Sequence, residues 1–230
     1  MGILREQKGL YWMKPAKSVV TVWCRPLADP GKLNARARHR NIQTQINPQD
    51  LPVKVLAERP TALLIQMADL TRGFVLAEEM RPVPTKNYWR QVKRFGPKLV
   101  AAKFSRVQMV KILKQWPRTK YVWGGRSGRG LDCSAAVQAA VYRFSDHWLP
   151  RNSCDQGRKG RQVSRLAVGD LVLFKSRTKK FYHIGIVVDS CRGQVWHQSR
   201  RHNRPAIEDV TSMQKRYRLL DVRRILKFND

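Results

Sequence analysis

Three side chains of this sequence could together perform nucleophilic chemistry: Cys133, His183 and His197. Cys133 stands where the Gly-rich stretch "WGGRSGRG" gives way to "LDCSAAVQAAVYRF". Within that run Cys133, Ala136, Val137, Ala140, Val141 and Phe144 fall on one helical face, so the cysteine opens a helix. The first turn of a helix offers unpaired N–H groups and a partial positive charge, and both favour a thiolate. Alone, Cys133 also fits a small buried residue on an apolar face; the histidines add weight to the chemical reading. His183 opens "HIGIVVD" fifty residues downstream, and His197 lies in the next apolar run, "QVWHQS". If Asp189 to Gly193 form the hairpin loop between these runs, His197 falls opposite Gly185, on the same face as His183. It could then orient His183, giving a Cys–His–His relay for acyl transfer that needs neither metal nor cofactor. A slip of one residue would put the two histidines on opposite faces. The other cysteines, Cys24, Cys154 and Cys191, have no comparable setting, and no CxxC spacing suggests a zinc site.

The elements that must position these groups lie in the C-terminal half. "SRVQMVKILKQW" (105–116) predicts a helix with Val107, Val110, Leu113 and Trp116 as its apolar stripe, ended by Pro117. After the Gly-rich loop and the Cys133 helix, residues 170–174, 183–189 and 194–199 predict strands. Helices followed by a run of strands indicate an α+β domain over 105–230. The N-terminal half is different. Residues 1–17 form a polar, irregular lead-in, 18–23 a strand, and 25–50 a loop broken by Pro, Gly and Asn. "LPVKVLAE", "TALLIQMAD" and "RGFVLAEEMRPV" are short apolar runs separated by turns, so 18–83 predicts a small β-barrel or meander, joined to the second domain by a linker over 84–104.

Five segments in order, "YVWGGRSGRGLDCSAAVQAAVYRF", "LPRNSCDQGRKGRQV", "LAVGDLVLF", "HIGIVVD" and "VWHQS", resemble the NlpC family of papain-like cell-wall peptidases over roughly residues 105–210. The resemblance implies that Cys133 is the nucleophile, His183 its base and His197 the polar residue completing a triad. It implies that Tyr121 lines the site near the oxyanion, and that Asp132 and Ser153 hold the free amino end of the substrate. Ala135 stands where the family has Gly after "DCS". The implied reaction is hydrolysis of a γ-D-glutamyl to diamino-acid bond in peptidoglycan peptides. Residues 18–83 are more distantly similar to a bacterial SH3-like domain, with Phe74 in place of its usual Trp. In related enzymes such modules restrict which peptides enter. The fold expected is thus a papain-like NlpC-type α+β domain preceded by a small SH3-like β-barrel.

Composition bounds the alternatives. The 230 residues carry 46 Lys and Arg against 16 Asp and Glu, a net charge of +30 spread in short clusters along the chain. Such a surface attracts polyanions, nucleic acid and anionic wall polymer alike. A catalytically silent polyanion-binding protein is therefore one rival reading, and a thiol amidase or acyltransferase of the same fold is another. No stretch approaches the apolar length of a membrane span. The first residues hold no uninterrupted apolar segment, so a cytoplasmic setting is expected, with export by a non-classical route as the alternative.

Overall fold

The computed structural model describes residues 12–16, 18–27, 32–34, 37, 41–96, 98–178 and 182–230. The chain forms two units: Met1–Val92 with Trp123–Ser127, and Lys93–Val122 with Gly128–Asp230.

In the first unit seven short strands, β1 (Trp12–Pro15), β2 (Val20–Trp23), β3 (Ile42–Ile46), β4 (Val53–Glu58), β5 (Ala62–Gln66), β6 (Arg72–Leu76) and β7 (Met80–Val83), pair in the order β3-β2-β6-β5-β4-β1-β7. Alternation sets the buried face: Val53 and Val55 point inward while Lys54 points out, and Val20, Val22, Ile46, Ile65 and Val75 meet them in one core. The β5–β6 turn carries Leu70 at φ 70°, with Asp69 Oδ1 accepting from Thr71 N at 3.0 Å. Three expectations change. Trp12–Pro15, assigned to an irregular lead-in, is a strand between β4 and β7 (residues 1–11 lie outside the described residues). Its four residues, ending on Pro15, are too short to show an alternating pattern. The segment expected as a 25–50 loop contains β3. The hydrogen-bonded order has two ends, β3 and β7, so a closed barrel is not formed among the described strands.

The second unit begins inside the expected 84–104 linker. There β8 (Lys93–Arg94) and β9 (Val100–Ala101) pair in parallel with strands much later in the chain. Helix α1 (Arg106–Lys114) starts on a capping box: Ser105 Oγ accepts from Gln108 N, and Gln108 Oε1 accepts from Ser105 N. Its buried residues are Met109 and Leu113; Val107, expected on the apolar stripe, is 77% exposed. Strand β10 (Arg126–Ser127) falls in the first unit, and β11 (Gly130–Leu131) precedes α2 (Cys133–Ser145) in the second. Then follow β12 (His147–Trp148), the partner of β8; the single-turn helix α3 (Ser153–Gln156); β13 (Arg161–Gln162); β14 (Leu171–Ser176); β15 (Tyr182–Asp189); β16 (Gln194–Ser199); β17 (Arg204–Asp209); α4 (Val210–Gln214); β18 (Tyr217–Arg224); and β19 (Leu226–Lys227), the partner of β9.

Six of these strands form an antiparallel sheet in the order β13-β18-β14-β15-β16-β17. One face packs on α2, where Cys133, Ala136, Val137, Ala140, Val141 and Phe144 meet Ile184, Ile186, Val188 and Trp196. The alanines let the helix lie close to the strands. The other face carries Val172, Phe174, Val187, Val195 and Met213. Because both faces are covered, β14 and β15 are continuous apolar runs rather than alternating ones.

Candidate active site

Helix α2 begins at a densely bonded corner. Asp132 is its N-cap, in extended conformation, and its Oδ1 accepts from Ala135 N at 2.8 Å and from Ser134 Oγ at 3.0 Å. The guanidinium of Arg151, 2% exposed, donates to both oxygens of the same carboxylate, at 3.0 and 2.6 Å, and to Ser134 Oγ at 2.7 Å. Such a forked ion pair is the geometry a buried arginine needs to offset its desolvation. Gln156 straps the same corner by donating to Ser134 O at 2.9 Å and Pro150 O at 2.8 Å, while Gln138 donates to Leu149 O at 2.7 Å. The segment "LPRNS" is thereby fixed against the helix start. Asp132 is thus a cap and an ion-pair partner; a substrate amine held there would share its carboxylate with Arg151.

Cys133 is the first helical residue and is buried. The backbone N–H groups of Ile184 on β15 and of Ser134 lie near its sulfur and favour the thiolate. Burial, reinforced by the neighbouring Asp132 charge, outweighs these groups and the Arg151 charge, and pushes the thiol up to about 12. The helix start expected to favour a thiolate is present, and desolvation is the larger effect on the thiol, in the opposite direction.

The β15–β16 hairpin differs from the loop assumed over 189–193: Asp189 pairs with Gln194, and a bulge between Val187 and Asp189 then puts Val187 opposite Val195 and Ile186 opposite Trp196, so one further step sets Gly185 opposite His197. The side chain of His183 reaches across: its Nε2 lies 2.8 Å from His197 Nδ1, with the rings at 88°. Gly185 is required by the packing, since a Cβ there would clash with Val195 and stand 2.7 Å from Trp196 O and 3.1 Å from His197 Cβ. Tyr217 stacks on the other side of His183, centroids 5.1 Å apart and rings at 11°. His183 and His197 are both buried. Burial, then the adjacent His197, holds His183 well below the usual imidazole range, so it is neutral and able to take a proton.

The line of contacts continues beyond the two histidines. His197 Nε2 lies 3.2 Å from Glu208 Oε1, and Arg216 donates to Glu208 Oε2. His202 Nε2 stands 3.4 Å from Glu208 Oε1. The hydrogen bond from His197, with the Arg216 contact, lowers Glu208 to about 2 against the opposing effect of burial.

Of the remaining candidates, Tyr121 sits on an isolated bridge to Leu131, its N–H donating to Asn203 Oδ1 at 2.9 Å. Burial, then Cys133 and Asp132 nearby, pushes its phenol up, so the hydroxyl stays a donor. Ser153 opens α3, half-buried, just past Arg151. Cys133, Asp132 and Tyr121 are thus neighbours, as are His183 and His197; no hydrogen bond ties the Ser153 side chain to this group. A separate cleft of about 330 Å³ is lined by Trp116, Arg118, Trp196, His202 and Arg204 among others, and by none of the six candidates. Among the described residues no group of three His, Cys, Asp or Glu is arranged to hold a metal ion.

Three contributors escaped the reading of the sequence: Arg151, Glu208 and Tyr217. Glu208 had a usable signal. Pairing "RPAIED" with "QVWHQS" puts Ala206 opposite His197, so Glu208 is its diagonal neighbour. Arg151 lies inside a quoted motif, yet nothing local says that it turns back to the helix cap. Tyr217 belongs to a strand that pairs with β14, on the far side of β14 from β15, and has no local signal.

The NlpC/P60 family model matches residues 118–224. The chain is 40% identical over 77 residues to a probable endopeptidase of Haemophilus influenzae, covering 32% of this chain and 48% of that protein. It is 37% identical over 75 residues to the murein DD-endopeptidase MepS/murein LD-carboxypeptidase of Escherichia coli K12, covering 32% of this chain and 39% of that one. It is 33% identical over 72 residues to the gamma-D-glutamyl-L-lysine dipeptidyl-peptidase of Bacillus subtilis, covering 30% of this chain and 24% of that one. In each case the match spans less than half of the relative's own length.

Proposed function

We propose that this chain, which belongs to the NlpC/P60 family through its residues 118–224, is a cysteine peptidase that hydrolyses peptidoglycan-derived peptides, cutting a γ-D-glutamyl to diamino-acid bond. The observation that carries the reading is the bonded pair His183–His197, on a strand whose Ile184 N–H contacts the Cys133 sulfur. In the proposed reaction a neutral His183 takes the thiol proton as the sulfur attacks the scissile carbonyl. Backbone N–H groups at the start of α2 and the Tyr121 hydroxyl donate to the developing oxyanion. His183 then returns the proton to the leaving amine, a thioester remains on Cys133, and a water activated by His183 hydrolyses it. Asp132, with Ser153, holds the free amine of the first substrate residue. The choice of bond is supported by the family resemblance and by the activity for which the Bacillus relative is named; the Escherichia relative makes a D,D-bond the rival.

The seven-stranded first unit is taken as the SH3-like module, on the support of its short antiparallel strands and the "GFV" strand β6. The setting proposed is cytoplasmic processing of short wall peptides. The basic surface is proposed to hold anionic polymer independently of catalysis.

The test is mass spectrometry of a muropeptide mixture incubated with the protein or with Cys133→Ala. New γ-D-glutamyl termini with the wild type alone are the expected result. Cleavage between D-residues would replace the bond assigned. Products in which an added amine replaces water would indicate an acyltransferase, and an unchanged mixture alongside salt-sensitive polymer binding would indicate the non-catalytic reading. Comparison of a free-amine peptide with its N-acetylated twin tests Asp132. Equal rates would remove the amine clamp and leave the peptidase.

A further inference from the structure

We propose that Glu208 is a positioning residue of this site, an acceptor at the end of the hydrogen-bond line that sets where the protons lie on both histidines and leaves His183 Nδ1 without a proton. The inference rests on the reading that Cys133 and His183 carry the chemistry.

The argument runs backwards along the line. Glu208 sits on β17, and its side chain is nearly buried. Its Oε2 is taken by Arg216, while its Oε1 faces His197 Nε2 at 3.2 Å and His202 Nε2 at 3.4 Å. Held at about 2, the carboxylate is ionised at any working pH and can only accept. His197 must therefore carry its proton on Nε2. On the proposed line His197 gives its one proton to Glu208 and presents a lone pair on Nδ1, so His183 Nε2, 2.8 Å away, is the donor. Burial keeps His183 from taking a second proton, so its one proton is spent on Nε2 and Nδ1 is free to receive the thiol proton. Without Glu208 the reverse line is equally well bonded: His197 Nδ1–H donates to His183 Nε2, and His183 carries its proton on Nδ1. That tautomer is unable to act as base toward the thiol.

Arg216 gives the site direction as well as charge. A glutamine at 208 has one acceptor oxygen, and Arg216, a donor only, would claim it. The amide NH2 would then face His197 Nε2 and impose the wrong tautomer. Tyr217, stacked on His183, holds the ring in plane but supplies no acceptor on this line.

The experiment measures kcat and KM for Glu208→Gln, Glu208→Leu and the double variant Glu208→Gln/Arg216→Met, together with ¹⁵N spectra of the imidazoles. A kcat loss of about 100-fold, the lower end of general-base contributions, is expected for Glu208→Gln, and a smaller loss for Glu208→Leu, with KM little changed in both. The His183 resonances should shift from the Nε2–H to the Nδ1–H pattern in Glu208→Gln and to a mixture of the two in Glu208→Leu. The double variant, whose glutamine oxygen is released toward His197, should recover part of kcat and the original pattern. Single variants that keep the Nε2–H pattern and wild-type kcat would overturn the proposal. So would a kcat loss with unmoved tautomers, even in a variant that melts lower. The underlying reading has its own control: if Cys133→Ala or His183→Ala keeps activity, that reading fails, whatever Glu208 does.

Discussion

His183 Nε2 and His197 Nδ1 are 2.8 Å apart with their rings nearly perpendicular, on neighbouring strands that meet at Gly185. This contact joins His183 through His197 to Glu208 and its ion pair with Arg216.

The resting pair is expected to be neutral. Burial raises the Cys133 thiol to about 12 and lowers His183, so neither partner favours the ion-pair form. Thiolate absorbance at 240 nm, compared with Cys133→Ala, should be absent between pH 6 and 9. Activity requires unprotonated His183. Because its folded value lies below 6.5, the acid limb of kcat/KM should fall below that pH rather than above it. A thiolate signal near neutrality, or an acid limb above 6.5, contradicts the neutral pair.

Arg151 is expected to be structural first. Arg151→Met leaves the Asp132 carboxylate buried without its forked partner, and breaking one side of such a pair costs about 3–5 kcal/mol. Asp132→Asn retains an acceptor for Ala135 N but loses the ion pair, so it should destabilise too. Urea midpoints measure both, and a change under about 1 kcal/mol for Arg151→Met would show that water reaches this corner.

Gly185→Ala is expected to disturb the relay through packing alone. The added methyl meets Val195, Trp196 O and His197 Cβ, and backbone is among the atoms that would have to move. Overpacking of this kind costs roughly 1–3 kcal/mol. Because His197 is one of the atoms displaced, kcat should fall by more than the stability loss explains. A variant that melts lower but turns over normally would detach Gly185 from the site.

Polyanion binding and peptide cleavage are expected to separate in salt. Binding of an anionic polymer by a chain of net charge +30 should weaken steeply as salt rises through counterion release. Cleavage of a short peptide depends on a local, buried constellation and should change far less. Parallel loss of both across one salt titration would tie the charge to catalysis.

Residue order alone determined the helix of Cys133, because six buried positions at helical spacing leave no other arrangement that hides them. It also placed the two strands of the β15–β16 hairpin, but the facing of His183 and His197 depends on the bulge between Val187 and Asp189, without which the pairing of Asp189 with Gln194 would set His197 opposite Ile186. Short strands such as β1 and β3 were not legible, because four or five residues with little alternation carry too weak a signal. The same holds for the Val107 stripe of α1, where Met109 and Leu113 are buried instead; only the packing partner decides which face is covered. Tertiary structure alone decided the environment of the thiol. A helix start favours a lowered thiol pKa from local geometry, but desolvation depends on everything packed around the sulfur and pushes the other way. Arg151 on Asp132, Tyr217 on His183 and Arg216 on Glu208 join residues whose meeting depends on how strands and helices assemble, or on side-chain direction, and spacing in the sequence encodes neither.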